Sequence, residues 1–166
     1  MSHAQLLADN PPARSDMAEP LPRLGSLAAY GLHVSRHFAQ CRREGGQLTL
    51  LWVEVDVPTR KDGTASDALP DGLIQLVSLR LRNGVRGADH VQRVGEHSFA
   101  VLMLAAGARE AEIAEQRLLQ TVRGAYNVEG QAMQVIARLG SAVFPQDGRN
   151  GAELAEAASG RLGVAR

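Results

Sequence analysis

A single cysteine, a single tryptophan and a single lysine stand among 166 residues. Cys41 alone forms no intramolecular disulfide and no cysteine-based zinc site. No apolar run of about 18 residues occurs, so no membrane-spanning helix or membrane insertion is expected. The first residues lack the basic-then-apolar order of a signal peptide, and a cytoplasmic location is the expectation. An excess of charge of either sign is missing too, since Lys plus Arg and Asp plus Glu are both 18. That balance argues against a broad electrostatic footprint for nucleic acid or for an anionic membrane. What is present is globular. The chain is 45% hydrophobic and 22% charged, which excludes wholesale disorder, and its length suits one domain with a full core. With Lys61 the only lysine, the remaining cations are arginines, which suit planar, bidentate contacts to phosphate or guanine.

Residues 1–20 hold three prolines and no apolar periodicity and read as a flexible arm, with the folded part from 21 to 166. Helical spacing runs from Leu24 to about Arg43 through Leu27, Ala28, Gly31, Val34, His37, Phe38 and Cys41, and Gly45-Gly46 ends it. Gln47–Val55 is almost wholly apolar and rich in β-formers, the mark of a central strand buried on both faces. A polar loop over Asp56–Ala68 leads to a second helix, Ala68–Val85. His90–Val94 and Ser98–Leu104 flank a turn at Gly95–His97 and read as a hairpin. A third helix is expected over Ala108–Tyr126, a turn at Asn127–Gly130, a strand over Gln131–Phe144 and a last helix from Gly151 to Arg166. The order helix, strand, helix, hairpin, helix, strand, helix predicts an α+β sandwich, with helices over a mostly antiparallel sheet.

Five stretches in this order resemble the GGDEF domains, whose active members are diguanylate cyclases joining two GTP molecules into cyclic di-GMP. Glu19-Pro20-Leu21-Pro22-Arg23-Leu24 is similar to the family's lead-in D-x-L-T-x-L. Leu50–Asp56 stands for its apolar strand ending in D-x-D. Arg93-Val94-Gly95-Glu96-His97-Ser98-Phe99 stands for R-x-G-G-D-E-F. Ala137–Ala142 is similar to A-S-I-G-V-A, and Phe144–Gly148 to the aromatic-Pro-x-Asp-Gly turn. The resemblance covers residues 19–166 and implies a nucleotidyl-cyclase-like central sheet of about five strands flanked by helices.

The signature itself is altered. Family chemistry uses two divalent metals held by carboxylates, and the resemblance puts Glu54 at the first of those positions and His97 at the other, followed by Ser98. Imidazole is a poor magnesium ligand, because magnesium prefers hard oxygen. Glu96 replaces a glycine that lets the backbone approach the nucleotide. A slip of one residue would turn a hairpin side chain to the other face, so Glu96 is not expected to substitute as ligand. Pro58-Thr59 replaces Phe-Lys, Asp62 replaces a guanine-reading Asn, and Arg166 stands for a late phosphate-binding Lys, whereas Asp71 matches the second guanine contact. Asp56 completes the vestigial set. The expectation is a non-enzyme with no magnesium and no other cofactor.

Nine residues before Gly95 stands Arg86-Gly87-Ala88-Asp89, which resembles the family's inhibitory R-x-x-D site for cyclic di-GMP; Arg117 matches its third residue. A guanidinium at Arg86 donates to guanine O6 and N7 or to phosphate, and a carboxylate at Asp89 accepts from guanine N1 and N2. Two protomers clamping one ligand dimer would give a ligand-linked homodimer. The resemblance implies a bacterial cyclic di-GMP receptor relaying its signal to an unidentified protein partner in polysaccharide synthesis and biofilm formation, motility or secretion. Two other functions stay open: a ligand-independent interaction scaffold, and a residual GTP-binding regulator or weak cyclase. Plainer readings stand beside the sharp ones. R-x-x-D also suits an exposed helix-end ion pair, Trp52 suits the core, and the neighbourhood of Arg80, Arg82, Arg86 and Arg93 suits solvated faces. His33 and His37 have a metal-compatible spacing that lacks a third ligand.

Overall fold

A computed structural model of the chain describes residues 23–58 and 69–164. Among these, four helices and five strands run in the order α1 (Leu27–Glu44), β1 (Leu48–Asp56), α2 (Asp71–Gly84), β2 (His90–Arg93), β3 (Ser98–Leu104), α3 (Ala108–Val122), β4 (Gly124–Val128), β5 (Gln131–Phe144) and α4 (Gly151–Ser159). The strands lie side by side as β2-β3-β1-β5-β4, and every neighbouring pair is antiparallel.

β1 is the middle strand, and its alternation divides the molecule into two cores. Leu51, Val53 and Val55 face α2 and α3, where they meet Leu73, Val77, Leu81, Phe99, Leu118 and Val122. Leu48, Leu50 and Trp52 face α1 and α4, where they meet Tyr30, Val34, Phe38, Phe144 and Leu154. Each fully buried large aliphatic side chain contributes about 2 kcal/mol relative to exposure. α1 opens on Ser26, whose hydroxyl accepts the Ala29 N–H at 3.0 Å. It closes on Gly45 at φ 76°, a left-handed residue that donates its N–H to the Cys41 carbonyl at 2.8 Å.

Several boundaries depart from the sequence reading, among them the second helix, which runs Asp71–Gly84. The first helix begins at Leu27 and buries Tyr30 in place of Ala28, which is exposed. The third helix ends at Val122, and Tyr126 lies in β4, paired with Met133 of β5. Tyr126 sits one helical repeat after Val122, so the apolar spacing alone carries on past the true end; Gly124, at φ 112°, stops the helix. The turn expected over Asn127–Gly130 is confined to Glu129 and Gly130, both at positive φ. The last helix ends at Ser159 rather than Arg166. Its chain then doubles back along β5, with the Gly163 N–H donated to the Leu139 carbonyl at 3.0 Å. The arm at residues 1–20 lies outside the described residues, as do Thr59, Lys61, Asp62 and Arg166.

That return path fixes two predictions. A methyl at Gly140 would lie 2.3 Å from the Ala158 carbonyl oxygen and 2.8 Å from the Arg161 carbonyl carbon, both backbone. Gly140→Ala is therefore expected to cost about 1–3 kcal/mol, lowering the melting temperature by several degrees. In the turn after β5, Asp147 accepts from the Arg161 guanidinium at 3.0 Å and from the Val143 N–H at 2.7 Å. These bonds, Arg161 first, hold its carboxyl below the ordinary aspartate range. Their contribution is present at neutral pH and lost as pH falls through the lowered folded value. Asp147→Asn should thus lower stability against urea at neutral pH, with the gap to wild type closing in strong acid.

Candidate functional site

The end of β1 and the β2–β3 turn form a cleft of about 540 Å³, lined by Glu54, Asp56, His97, Arg138 and the returning Gly163–Val164. Strand register explains how these residues meet. Glu54 lies opposite Ser98 on β3 and opposite Arg138 on β5. Trp52 and Glu54 are two apart on one strand and so share a face. The consequence is that one carboxylate oxygen of Glu54 accepts both the Trp52 indole N–H, at 2.9 Å, and the Ser98 hydroxyl. His97 sets Nδ1 3.2 Å from the Val55 carbonyl, while its own carbonyl accepts the Val55 N–H at 2.9 Å. Asp56 is exposed and accepts the Val57 N–H at 2.8 Å.

Glu96 turns the other way. Its carboxylate pairs with Arg23 of the lead-in segment and, at 3.5 Å, with Arg93. Arg93 also donates to the Gly95 and Glu96 carbonyls at 3.1 Å each. The turn that bears the altered signature is thus tied to the lead-in segment, which also pairs its backbone there through Leu24 N–H and the Arg93 carbonyl at 3.0 Å. Magnesium demands a near-octahedral shell of oxygens. The donors here do not fit one: Glu54 is engaged by two neutral donors, His97 offers nitrogen, and Glu96 points away. Among the described residues no three His, Cys, Asp or Glu side chains form a metal-holding group.

The second predicted site is built at the corner after α2. Asp89 is buried, with a side-chain exposure of 0%, against 54% for Arg86. One Asp89 oxygen accepts the Arg86 backbone N–H at 3.1 Å and Nε at 3.3 Å. The other accepts an Arg86 terminal nitrogen at 3.2 Å and the Leu104 N–H at 3.4 Å. That same terminal nitrogen donates to the Leu104 carbonyl at 2.8 Å. Asp89 is thus a hub joining the corner to the end of β3, and it aims the outward guanidinium of Arg86. Arg117 reaches this corner from α3, its Nε donating to the Gly84 carbonyl at 3.0 Å.

The fold brings Arg86, Asp89 and Arg117 to one corner at the Leu104 end of β3, and Glu54, Asp56, His97 and Ser98 to the cleft at its opposite, Ser98 end. Asp71 stands apart as the exposed first residue of α2. The arginine neighbourhood disperses into structural duties: Arg80 lies 3.6 Å from the centre of the Tyr126 ring and donates to the Ala125 carbonyl at 2.7 Å. Sequence reasoning missed Arg138 and Gly163–Val164 in the cleft, and the Leu104 backbone at the corner. β-pairing alone carries the signal for Arg138, which is opposite Glu54, whereas the backbone groups carry none.

The family described as "Diguanylate cyclase, GGDEF domain" matches residues 23–166. The chain is 28% identical over 136 residues to a protein of Pseudomonas aeruginosa named cyclic di-GMP phosphodiesterase NbdA, covering 82% of this chain and 17% of that protein. It spans less than a fifth of the length of the curated relatives it matches. A sensory box/GGDEF family protein from Caulobacter crescentus superposes with a TM-score of 0.70 at 22% identity, covering 86% of this chain and 90% of that one. Diguanylate cyclase SiaD of Pseudomonas aeruginosa, solved in complex with its activator SiaC, superposes with a TM-score of 0.64 at 19% identity, covering 97% and 66%. These two likenesses are of fold. No helix among the described residues is long and apolar enough to cross a membrane.

The corner geometry predicts an order of stabilities. Asp89→Ala strands the Leu104 and Arg86 N–H groups and should cost about 1–3 kcal/mol in chemical denaturation. Arg86→Ala should cost less, because Asp89 keeps its two backbone donors and the guanidinium is half in water.

Proposed function

The chain belongs to the GGDEF domain family, and from that premise we propose that it is a non-catalytic member that binds cyclic di-GMP at the Arg86 corner and passes the signal to a protein partner. The observation that carries this reading is the contrast between the two sites. At the cleft, the side chains in the metal-holding positions are engaged elsewhere or of the wrong chemistry. At the corner, a half-exposed guanidinium is held in a fixed plane by a buried carboxylate, with Arg117 alongside. Nε and one terminal nitrogen of Arg86 are spent on Asp89 and the Leu104 carbonyl, which leaves the other terminal nitrogen as the donor for the O6 and N7 edge of guanine or a phosphate. Asp89 acts here by aiming Arg86; its own oxygens are taken, so accepting from guanine N1 and N2 would require it to leave them.

Relay to a partner is supported by SiaD, a GGDEF-fold protein seen in complex with its activator. Polysaccharide synthesis, motility or secretion machinery is the kind of partner proposed, with a ligand-linked homodimer as the bound form. A second reading, a scaffold that binds no nucleotide, is favoured by the saturation of Asp89 within the fold.

Calorimetric titration with cyclic di-GMP separates the two. Wild type should bind. Arg86→Lys keeps a cation beside Asp89 but loses the fork that holds Asp89 and a ligand at once, and Arg117→Ala removes the flanking charge. Each should weaken binding about ten- to a hundredfold, the equivalent of about 1–3 kcal/mol. Absence of binding by wild type would leave the scaffold reading, and equal binding by all three would move the ligand away from the Arg86 corner. Incubation with GTP and magnesium should yield no cyclic di-GMP, and product formation would reverse the non-catalytic assignment.

A further inference from the structure

The first helix meets the edge of the sheet in a contact between two imidazoles. The ring centres of His37 on α1 and His90 on β2 stand 4.4 Å apart, the planes inclined by 40°. His90 opens β2 and pairs with Leu102, whose side chain belongs to the α1 side of the sheet. β2 is a four-residue edge strand with β3 as its neighbour, and the lead-in segment touches it at the far end, where Arg23 bridges to Arg93. Short edge elements of this kind open at low cost, so the contact at His90 bears on how the strand begins.

The charged groups that act on half-buried His37 are His90 from β2 and Arg36 and His33 from α1, all of them basic. The nearby acids are committed elsewhere. Asp89 precedes His90, but its carboxylate is buried against Arg86 and the Leu104 N–H. Glu44 of α1 is engaged by Gln40, and Glu153 of α4 by Arg149.

We propose that the His37–His90 contact is an acid-released latch between α1 and the start of β2. With both imidazoles neutral, the rings rest against each other and hold the strand to the helix. As pH falls through the imidazole range, protons arrive on rings set among like charges, and imidazolium repulsion parts them. Burial first, then His90, Arg36 and His33, holds the His37 pKa below the ordinary imidazole value. The latched state therefore binds fewer protons than the open one. Its stability is lost as pH falls from the ordinary imidazole value through the lowered one. Release at His90 acts on the residue directly after Asp89, and so on the bond from the Leu104 N–H that ties the corner to β3. The latch follows from the fold and holds whether or not the Arg86 corner binds a nucleotide.

The test is nuclear magnetic resonance on the full chain from about pH 8 to about pH 5, following the His37 ring protons and the protection of the backbone amides against exchange. His37 should titrate below the ordinary imidazole value of about 6.5. Protection of the β2 amides should fall by up to about tenfold per pH unit for each proton taken up on opening, while the β1 amides keep theirs. His90→Phe keeps a ring against His37 and removes a charge. It should raise the His37 pKa and flatten the loss of β2 protection. Arg36→Gln, at an exposed position, should also raise the His37 pKa without altering either ring. The latch is overturned if wild-type His37 titrates at or above the ordinary value, or if β2 protection stays level across the range. An equal loss of protection in wild type and His90→Phe, or one shared in full by β1, would overturn it as well.

Discussion

Burial of β1 on both faces is the constraint from which the rest of the molecule follows. A strand with Leu50, Leu51 and Val53 at zero exposure needs a partner on each edge and a layer on each face. β3 and β5 supply the edges, α1 with α4 and α2 with α3 supply the layers. The strand cannot slip by one residue without exchanging its two cores, so its register is fixed. Because the register is fixed, the polar residues at its far end are fixed too, and Glu54 is delivered to Ser98 whatever else happens in the cleft.

That delivery explains why the altered signature behaves as a settled structure. Ser98 and Trp52 satisfy Glu54, the Val55 carbonyl meets His97, and Arg23 with Arg93 neutralises Glu96. Each of these side chains has a partner within the fold. The cleft persists because β1, β5 and the returning chain still enclose it, and its walls do not depend on the chemistry of the turn.

The Arg86 corner joins a buried brace to an outward-facing cation in one pair of residues. A buried carboxylate with four donors holds the end of α2 to the end of β3, and the guanidinium it aims is half in water. On the proposed reading, a structural brace and a recognition group are the same object. A ligand drawing on Arg86 would act directly on the junction between α2, β3 and α3, since Arg117 grips the helix end from the other side.

The elements with dense local pattern were legible in the residues. The doubly apolar run at Leu48–Val55, the hairpin around Gly95 and the long strand Gln131–Phe144 declare themselves by β-rich composition and turn chemistry. The family motifs order them into one architecture. Local pattern failed where two periods coincide: Tyr126 continues the helical stripe of Val122 yet sits in β4, and only pairing with β5 settles which wins. Side-chain identity alone told that position 97 holds an imidazole and position 89 an acid. It did not tell that Asp89 is sealed from water, that Glu96 faces Arg23 seventy-three positions away, or that His90 lies against His37. Composition and spacing act along the chain and fix what each segment is. Burial, ion pairing and ring contact join residues far apart in it, so they exist only once the sheet has closed and the helices have docked.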